Sequence, residues 1–487
     1  MLRARRWKGS DVVLDRLAGG VGRGIGQVAE QVTDAALAPF SDPVIRLGVT
    51  GLSRAGKTVF ITALVANLLD RGRMPGLRAA ANGSIQTVYL NPQPDDTMPR
   101  FEYESHYAAF TSPTPFWPDS TRTVSQLRLS LKVAPQGLLG ALSGSRTVHL
   151  DIIDYPGEWL LDLTLLDQSF EQWSAARLER MAGRAGSDAF LAALADVDPA
   201  APHDETTART LAELYTTAQH AARSEGYSDC GPGRFLLPGE LAGSPVLTFA
   251  PLRGDGKTPR GSLAREMARR FEAYKARVVR PFFRDHFSKI DRQVVLADVL
   301  GAIHAGPAAL EDLRRTLAEI LSAFRPGRNA WLTNLLRGRR VERILFAATK
   351  ADHLHHSQHG ALTNIAQALL RDAEDRARFA GAQTRALSIA ALRATVEETR
   401  QHNGHELGVV RGSLLEDGRA AAFYPGALPE DPARLLAPAR EGAANWLDED
   451  YAVMRFAPAA LRLKPGDGPP HIRLDSAAEF LIGDRLS

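Results

Sequence analysis

Gly51-Leu52-Ser53-Arg54-Ala55-Gly56-Lys57-Thr58 decides the reading of this chain. The stretch spells G-x-x-x-x-G-K-T. It follows the apolar run Val44-Ile-Arg-Leu-Gly-Val-Thr50 and precedes Val59-Phe-Ile-Thr-Ala-Leu-Val-Ala-Asn-Leu-Leu69, which has helical composition. Strand, glycine turn and helix are the context in which this pattern means phosphate binding. Gly51 and Gly56 let the backbone curl so that successive N–H groups point inward at phosphate oxygens. The helix that follows aims its positive end at the same place. Lys57 can reach β- and γ-phosphates, and the Thr58 hydroxyl can ligate Mg²⁺. Gly51, Ser53, Arg54, Ala55, Gly56, Lys57, Thr58 and Val59 are therefore expected around the phosphates of a nucleoside triphosphate.

The bulk properties set limits on the rest. At 487 residues the chain suggests several units, or one core with large insertions. Its 44% hydrophobic and 24% charged residues are ordinary globular material. A net charge of +3 is too weak a signal for nucleic acid, and no aromatic-interleaved basic stripe accompanies it. Cys230 is the only cysteine, which excludes a disulfide framework or cysteine metal cluster and fits a reducing cytosol. No apolar run approaches the ~18 residues of a membrane span. The basic start, Met1 to Lys8, lacks the apolar core of a signal peptide. Residues 11 to 38 carry an amphipathic pattern (Val12, Leu17, Val21, Ile25, Val28, Val32) broken by glycines. With Arg3, Arg5, Arg6, Trp7 and Lys8 it suits weak contact with an anionic membrane surface; the plainer reading is a helix packed on the core.

Strand and helix signals alternate along the remainder. Residues 71 to 114 are polar and show no period. Gln126 to Val133 alternates cleanly, with Leu127, Leu129, Leu131 and Val133 on one side, and reads as a half-exposed strand. Arg146 to Ile153 is its expected partner. Helices are expected at Phe170 to Met181, Ser187 to Leu194, Thr206 to Ala222 and Ala264 to Phe287, and strand signals resume at Gln293 to Leu300. A helix around Leu310 to Phe324, a strand at Arg343 to Ala348, a helix from Gly360 to Phe379 and a strand at Thr384 to Ile389 follow. The tail from Gly404 reads as irregular until a short helix at Ser476 to Ile482. The pattern predicts an α/β fold: a P-loop core with a mostly parallel sheet, an antiparallel edge pair, a large helical insertion and an extra C-terminal segment. The expected units are 1–42, an amphipathic helical segment; 43–158 and 291–395, the two parts of the nucleotide core; 159–290, the insertion; and 396–487, an extension packing on the core.

Further motifs fall in nucleotide-site order. Asp154-Tyr-Pro-Gly157 ends a strand, where Asp154 can hold a Mg²⁺ water and Gly157 can offer its N–H to the γ-phosphate. Asp151, inside the strand, is the alternative magnesium carboxylate. Thr349-Lys-Ala-Asp352 ends another strand. There a carboxylate can accept from guanine N1–H and its amine, which adenine does not offer, while the Lys350 stem covers the base. In Ser388-Ile389-Ala-Ala391 a backbone N–H can meet guanine O6. In Trp117-Pro-Asp-Ser120-Thr121-Arg122-Thr123 a threonine can close over the γ-phosphate and Mg²⁺. Arg54 and Arg122 are candidates for a positive charge on the transferred phosphoryl. His353, His355, His356 and His359 lack an ordered metal spacing and read as a loop with His353 beside the base. Cys230, without an identifiable base, reads as a packed residue.

The ordered set Gly-Leu-Ser-Arg-Ala-Gly-Lys-Thr, Trp-Pro-x-Ser-Thr-Arg, Asp-Tyr-Pro-Gly-Glu-Trp and Thr-Lys-Ala-Asp-His resembles the YcjX family of bacterial P-loop proteins. Pro-Gly-Arg-Phe-Leu-Leu-Pro-Gly-Glu-Leu (232–241), Val-Leu-Thr-Phe-Ala-Pro-Leu (246–252) and Ile-Asp-Arg-Gln-Val-Val-Leu (290–296) extend the match from about Pro43 to the end. The resemblance implies a cytoplasmic, stress-associated protein with a Ras-like core that binds GTP or GDP, encoded beside an inner-membrane partner. It implies that Trp117, Ser120, Thr121 and Arg122 touch the nucleotide, and it favours Thr121 over Thr123 as the Mg²⁺ threonine. Two departures from ordinary small GTPases stand out. Thr349 replaces the asparagine that usually braces the base loop, so guanine selectivity is expected to be looser. Glu158 stands where many carry a water-positioning glutamine, and a carboxylate beside a γ-phosphate predicts slow hydrolysis or another assisting group. The expected function is a slowly hydrolysing GTP switch, with Lys57, Thr121, Arg122, Gly157 and Glu158 nearest the chemistry and Thr58, Thr121 and Asp154 nearest the metal. An ATPase and a scaffold holding a structural nucleotide are the rival readings.

Overall fold

The computed structural model describes residues 42–486 except Ser53, 119–122, 136–143, 255–258, 323–340, 380–381, 444–445 and 448–450; for 372–379 it describes the backbone alone. The N-terminal amphipathic segment, Ser53, Ser120, Thr121 and Arg122 thus lie outside the described residues. Val44–Ser487 forms one compact unit.

Seven strands make its central sheet: β1 (Val44–Gly51), β2 (Ile85–Asn91), β3 (Ser125–Val133), β4 (Arg146–Asp154), β5 (Arg292–Ala297), β6 (Arg343–Ala348) and β7 (Gln383–Ser388). Their spatial order is β2-β3-β4-β1-β5-β6-β7. From β4 to β7 all neighbours run parallel, and β2 and β3 add an antiparallel edge. The parallel strands are apolar on both sides because each side is covered. On β5, Val294 and Leu296 face the cluster built on Phe60 and Leu64 of the Lys57–Leu69 helix and on Leu481 near the C-terminus. Val295 and Ala297 face the cluster shared with the inserted helices. This is the expected P-loop architecture.

Helix ends in the insertion follow local chemistry. Ser169 accepts from the Gln172 N–H, and the Gln172 side chain accepts from the Ser169 N–H, a capping box that starts the Phe170–Met181 helix. Asp204 and Ser262 cap the Glu205–Ser224 and Leu263–Tyr274 helices more simply, each side chain accepting from the N–H three residues on. The helix expected over 264–287 is interrupted by a π turn at Lys275–Val279, just ahead of Pro281. A proline cannot donate to the turn before it, and a widened turn absorbs the mismatch.

Four sequence expectations need correction. The polar stretch 71–114 contains β2 and a helix at Tyr103–Thr111. A register shift between Ile85 and Thr87 breaks the alternation that would have marked the strand. Because β2 pairs outside it, β3 is interior rather than half-exposed. Its polar side is spent on a network: Arg128 grips Asp151 with two bonds of 2.5 and 2.8 Å, and Ser130 lies 2.8 Å from His149 Nδ1 and accepts from Asn91 at 3.0 Å. The tail holds a second antiparallel sheet, β8 (Val396–His402), β9 (His405–Ser413) and β10 (Ala420–Phe423). Asn403-Gly404 turns its hairpin, with φ of 51° and 78°. The strand expected over Gln293 to Leu300 also stops early, since Asp298 caps a helix at Val299–Ala305.

Trp173 is the hub of the insertion: its ring stacks on Phe271 at 5.1 Å and meets Phe249 at 5.5 Å, with no surface exposed. Trp173→Ala should cost about 3–5 kcal/mol of unfolding free energy, measured as a fall in the urea midpoint.

Candidate nucleotide site

The carboxyl ends of β1, β4, β6 and β7 open onto one cavity of about 840 Å³. Ligands in open α/β sheets bind outside such strand ends. At one end lies the Gly51–Thr58 turn, where Arg54 (φ 63°) and Gly56 (φ 76°) take left-handed backbone conformations. Arg54, Ala55, Gly56, Lys57, Thr58 and Val59 all line the cavity. The 13-residue helix starting at Lys57 points its N-terminus there.

Lys57 Nζ bonds to Asp154 Oδ1, with both side chains mostly buried. The other carboxylate oxygen, Asp154 Oδ2, is buried without a partner among the described residues. So is the hydroxyl of Ser125, directly across on β3. Asp151 is committed elsewhere: three residues earlier on β4, it points to the opposite side of the sheet and is consumed by Arg128. A β-carbon on Gly157 would stand 2.2 Å from the Gly51 carbonyl oxygen, so only glycine lets this turn lie against the phosphate loop.

The segment after Gly157 is held by the insertion. Glu158 accepts an ion pair from Arg223 at 2.8 Å. The Arg234 guanidinium lies 3.3 Å from the centre of the Trp159 ring. Asp162 accepts from the Gly233 N–H at 2.7 Å and from the Tyr274 hydroxyl at 2.5 Å. Tyr155, fully buried, packs edge-on against Phe282 and Phe287 and donates to Gln293 at 2.7 Å.

At the other end, Asp352 is 4% exposed and accepts from the Ala394 N–H at 2.8 Å, which leaves further acceptor capacity on its carboxylate. Lys350 (φ 61°) pairs with Asp298. Thr349 donates to the Ala297 carbonyl from both N–H and hydroxyl, rather than to the phosphate loop. His353 lines the cavity and meets Phe456 edge-on at 5.3 Å. Burial holds its imidazole below the ordinary range. Trp117 also lines the cavity, its indole N–H donating to the Phe456 carbonyl at 2.8 Å.

Two expected residues sit elsewhere. Ser388 is closed off by Thr363, His359 and Arg473, and the Ile389 N–H donates to Ala348. Ala390, Ala391 and Leu392, just beyond, reach the cavity. Sequence reading also missed His220 and Arg223 from the insertion, and Leu415, Arg455 and Phe456 from the tail. No local motif marks these five. Asp298 had a signal, as a polar N-cap ending an apolar strand. His359 is a buried donor to the Ala351 and Leu354 carbonyls, while His355 and His356 gather with Glu397 on the surface side. Cys230 is packed with Ala222 and Leu236, and burial pushes its thiol well up.

Residues 45–486 match the YcjX-like family, DUF463. The chain belongs to this family. A Ras-like GTPase YcjX of Escherichia coli strain K12 is 37% identical over 460 residues, 91% of this chain and 96% of that protein. A Ras-like GTPase YcjX of Shewanella oneidensis strain MR-1 is 35% identical over 482 residues, 94% of this chain and 97% of that protein. Pro232 to Leu236 braces the turn after Gly157, and Phe249 packs on Trp173.

Burial raises the Asp162 carboxyl from 3.8 to about 6, against the pull of its hydrogen bonds. Its folded value exceeds its unfolded one, so its contribution to stability is complete below about pH 4 and is lost as pH rises through 6. The gap amounts to about 3 kcal/mol. Asp162→Asn does not titrate. The melting temperature of the variant minus that of the wild type should therefore rise by a few degrees between pH 4 and pH 7.5, read by calorimetry.

Proposed function

We propose that this YcjX-like protein binds GTP with Mg²⁺ and hydrolyses it slowly, acting as a nucleotide-dependent switch. The observation that carries this is the single cavity holding the Gly56–Thr58 turn at one end and Asp352 at the other. The shared name of the two relatives, Ras-like GTPase, supports the same chemistry. In this reading Lys57 exchanges Asp154 for β- and γ-phosphate oxygens, and loop N–H groups and the helix N-terminus complete the cradle. Asp352 accepts from guanine N1–H and the amine, and the Lys350 stem lies on the base. An adenine offers no such pair of donors, which disfavours the ATPase reading. The absence of a Thr349 bond to the phosphate loop among the described residues fits a less strict base site.

Magnesium suits the residues present: Asp154 Oδ2 is a buried, unpartnered carboxylate oxygen, and Thr58 begins the helix beside Lys57. Bound there, the ion would neutralise charge on the phosphates. We assign the closing of the γ-phosphate side to Trp117, Ser120, Thr121 and Arg122 together with the Gly157 N–H, and its release after hydrolysis to the turn at 155–162. The organisation that goes with this reading is a core of 43–158 and 291–395 carrying an insertion (159–290) and an extension (396–487). The stress association, cytoplasmic location and inner-membrane partner rest on the family resemblance. Among the described residues no helix is long and apolar enough to cross a membrane.

Two measurements test the site. Lys57→Ala should weaken GTP by about 100-fold, an order set by the loss of charge-assisted bonds; it also leaves the buried Asp154 carboxylate unpaired and should lower the melting temperature, so affinity is measured well below that melt. Unchanged affinity in an equilibrium titration removes the phosphate assignment. Wild-type protein should prefer GTP to ATP, and Asp352→Asn should lower GTP affinity while improving that of a xanthine nucleotide, whose 2-oxo group needs a donor. Equal wild-type affinities for ATP and GTP would refute the base assignment.

A further inference from the structure

The residue after the Asp-x-x-Gly turn is a carboxylate, and a carboxylate beside a γ-phosphate is repulsive unless something neutralises it. The structure supplies that group from the insertion. Arg223 sits in the last turn of the Glu205–Ser224 helix, and its Nη2 lies 2.8 Å from Glu158 Oε1. Glu158 is 7% exposed, so this charge pair is largely withdrawn from solvent. Both residues line the cavity that holds Lys57 and Gly56, as does His220 one turn before Arg223. Glu158 is fixed relative to the phosphate loop by its neighbour Gly157, whose α-carbon abuts the Gly51 carbonyl. On its other side a β-carbon on Gly233 would stand 2.4 Å from the Glu158 carbonyl oxygen, so the insertion backbone is pressed against it.

We propose that Arg223 and Glu158 form one hydrolytic unit, in which the insertion supplies the activating arginine within the same chain. The proposal rests on the GTP reading above. Arg223 cancels the Glu158 charge, leaving the carboxylate as an acceptor that orients a water molecule. A guanidinium has five N–H donors, enough to hold Glu158 and also meet an oxygen of the transferred phosphoryl. The water oxygen forms a bond to the γ-phosphorus as the bond from that phosphorus to the β–γ bridging oxygen breaks. GDP keeps the bridging oxygen and its electron pair. One water proton stays on the released phosphate and the other passes to solvent. Arginines that stabilise this charge accelerate hydrolysis by large factors elsewhere.

The full chain with GTP and Mg²⁺ provides the test, read as single-turnover phosphate release beside equilibrium GTP affinity and melting temperature. At saturating GTP, Arg223→Ala should slow the chemical step by at least about tenfold, and because it uncovers the Glu158 charge it should also weaken GTP and lower the melting temperature. Arg223→Lys keeps the charge and loses the fork, so it should also be slow. Glu158→Ala should be slow, and the double variant no slower than the slower single one, because the two act as a unit. Wild-type turnover in Arg223→Ala, or multiplicative losses in the double variant, would overturn the proposal. If Arg223→Ala melts early, Arg223→Lys decides: full turnover there refutes the unit. Failure of the wild type to bind GTP at all would instead strike the reading on which the proposal rests.

Discussion

Between the Gly157 α-carbon and the Gly51 carbonyl oxygen there is room for hydrogen and nothing larger. That approach joins the two turns at the ends of β4 and β1. It fixes how far the 154–162 segment stands from the phosphate loop, and it brings Glu158 to the cavity wall. The inserted helices grip the same segment through Arg223, Gly233, Arg234 and Tyr274. A nucleotide that moved this turn would therefore have to move or release the insertion. The aromatic cluster around Trp173 makes the insertion a stiff body, so displacement would be passed on as a whole rather than absorbed locally.

Much of this was legible in the sequence because it depends on short-range rules. The glycine turn, the strands that end at Asp154 and Ala348, and the helix over 170–181 follow from spacing, burial and capping within a few residues. The polar strands escaped for a physical reason. β3 is covered on both sides because its polar residues satisfy each other across three strands, which no single strand reveals. β8 and β9 are mostly exposed, with charged pairs such as Arg411 with Glu398, and bury only Val409 and Val410 of β9, so their apolar signature is short, although Asn403-Gly404 was a usable hairpin signal.

The site divides along the same line. Among the motif residues singled out in advance, Lys57, Asp352 and His353 line the cavity. Those that reach the cavity from distant segments, Arg223 and Phe456 among them, could not be singled out, because nothing local distinguishes an arginine late in a helix or a phenylalanine in a tail. Ser388 and Ile389 show the opposite error. Hydrogen bonds to Thr363 and Ala348 occupy their N–H groups, and it is the next residues of the turn that face the cavity.

The bond from the Trp117 indole to the Phe456 carbonyl spans 339 positions. During synthesis the ribosome delivers Trp117 long before Phe456, and Arg473, which locks the base-side turn at Ser388, comes later still. The Leu52 N–H of the glycine turn donates to Leu296 and the Trp117 indole to Phe456, so both ends of the cavity wait for later parts of the chain. A nascent chain therefore carries a phosphate loop with an unfinished wall for most of its translation. The cavity wall is completed last, when the final segment docks.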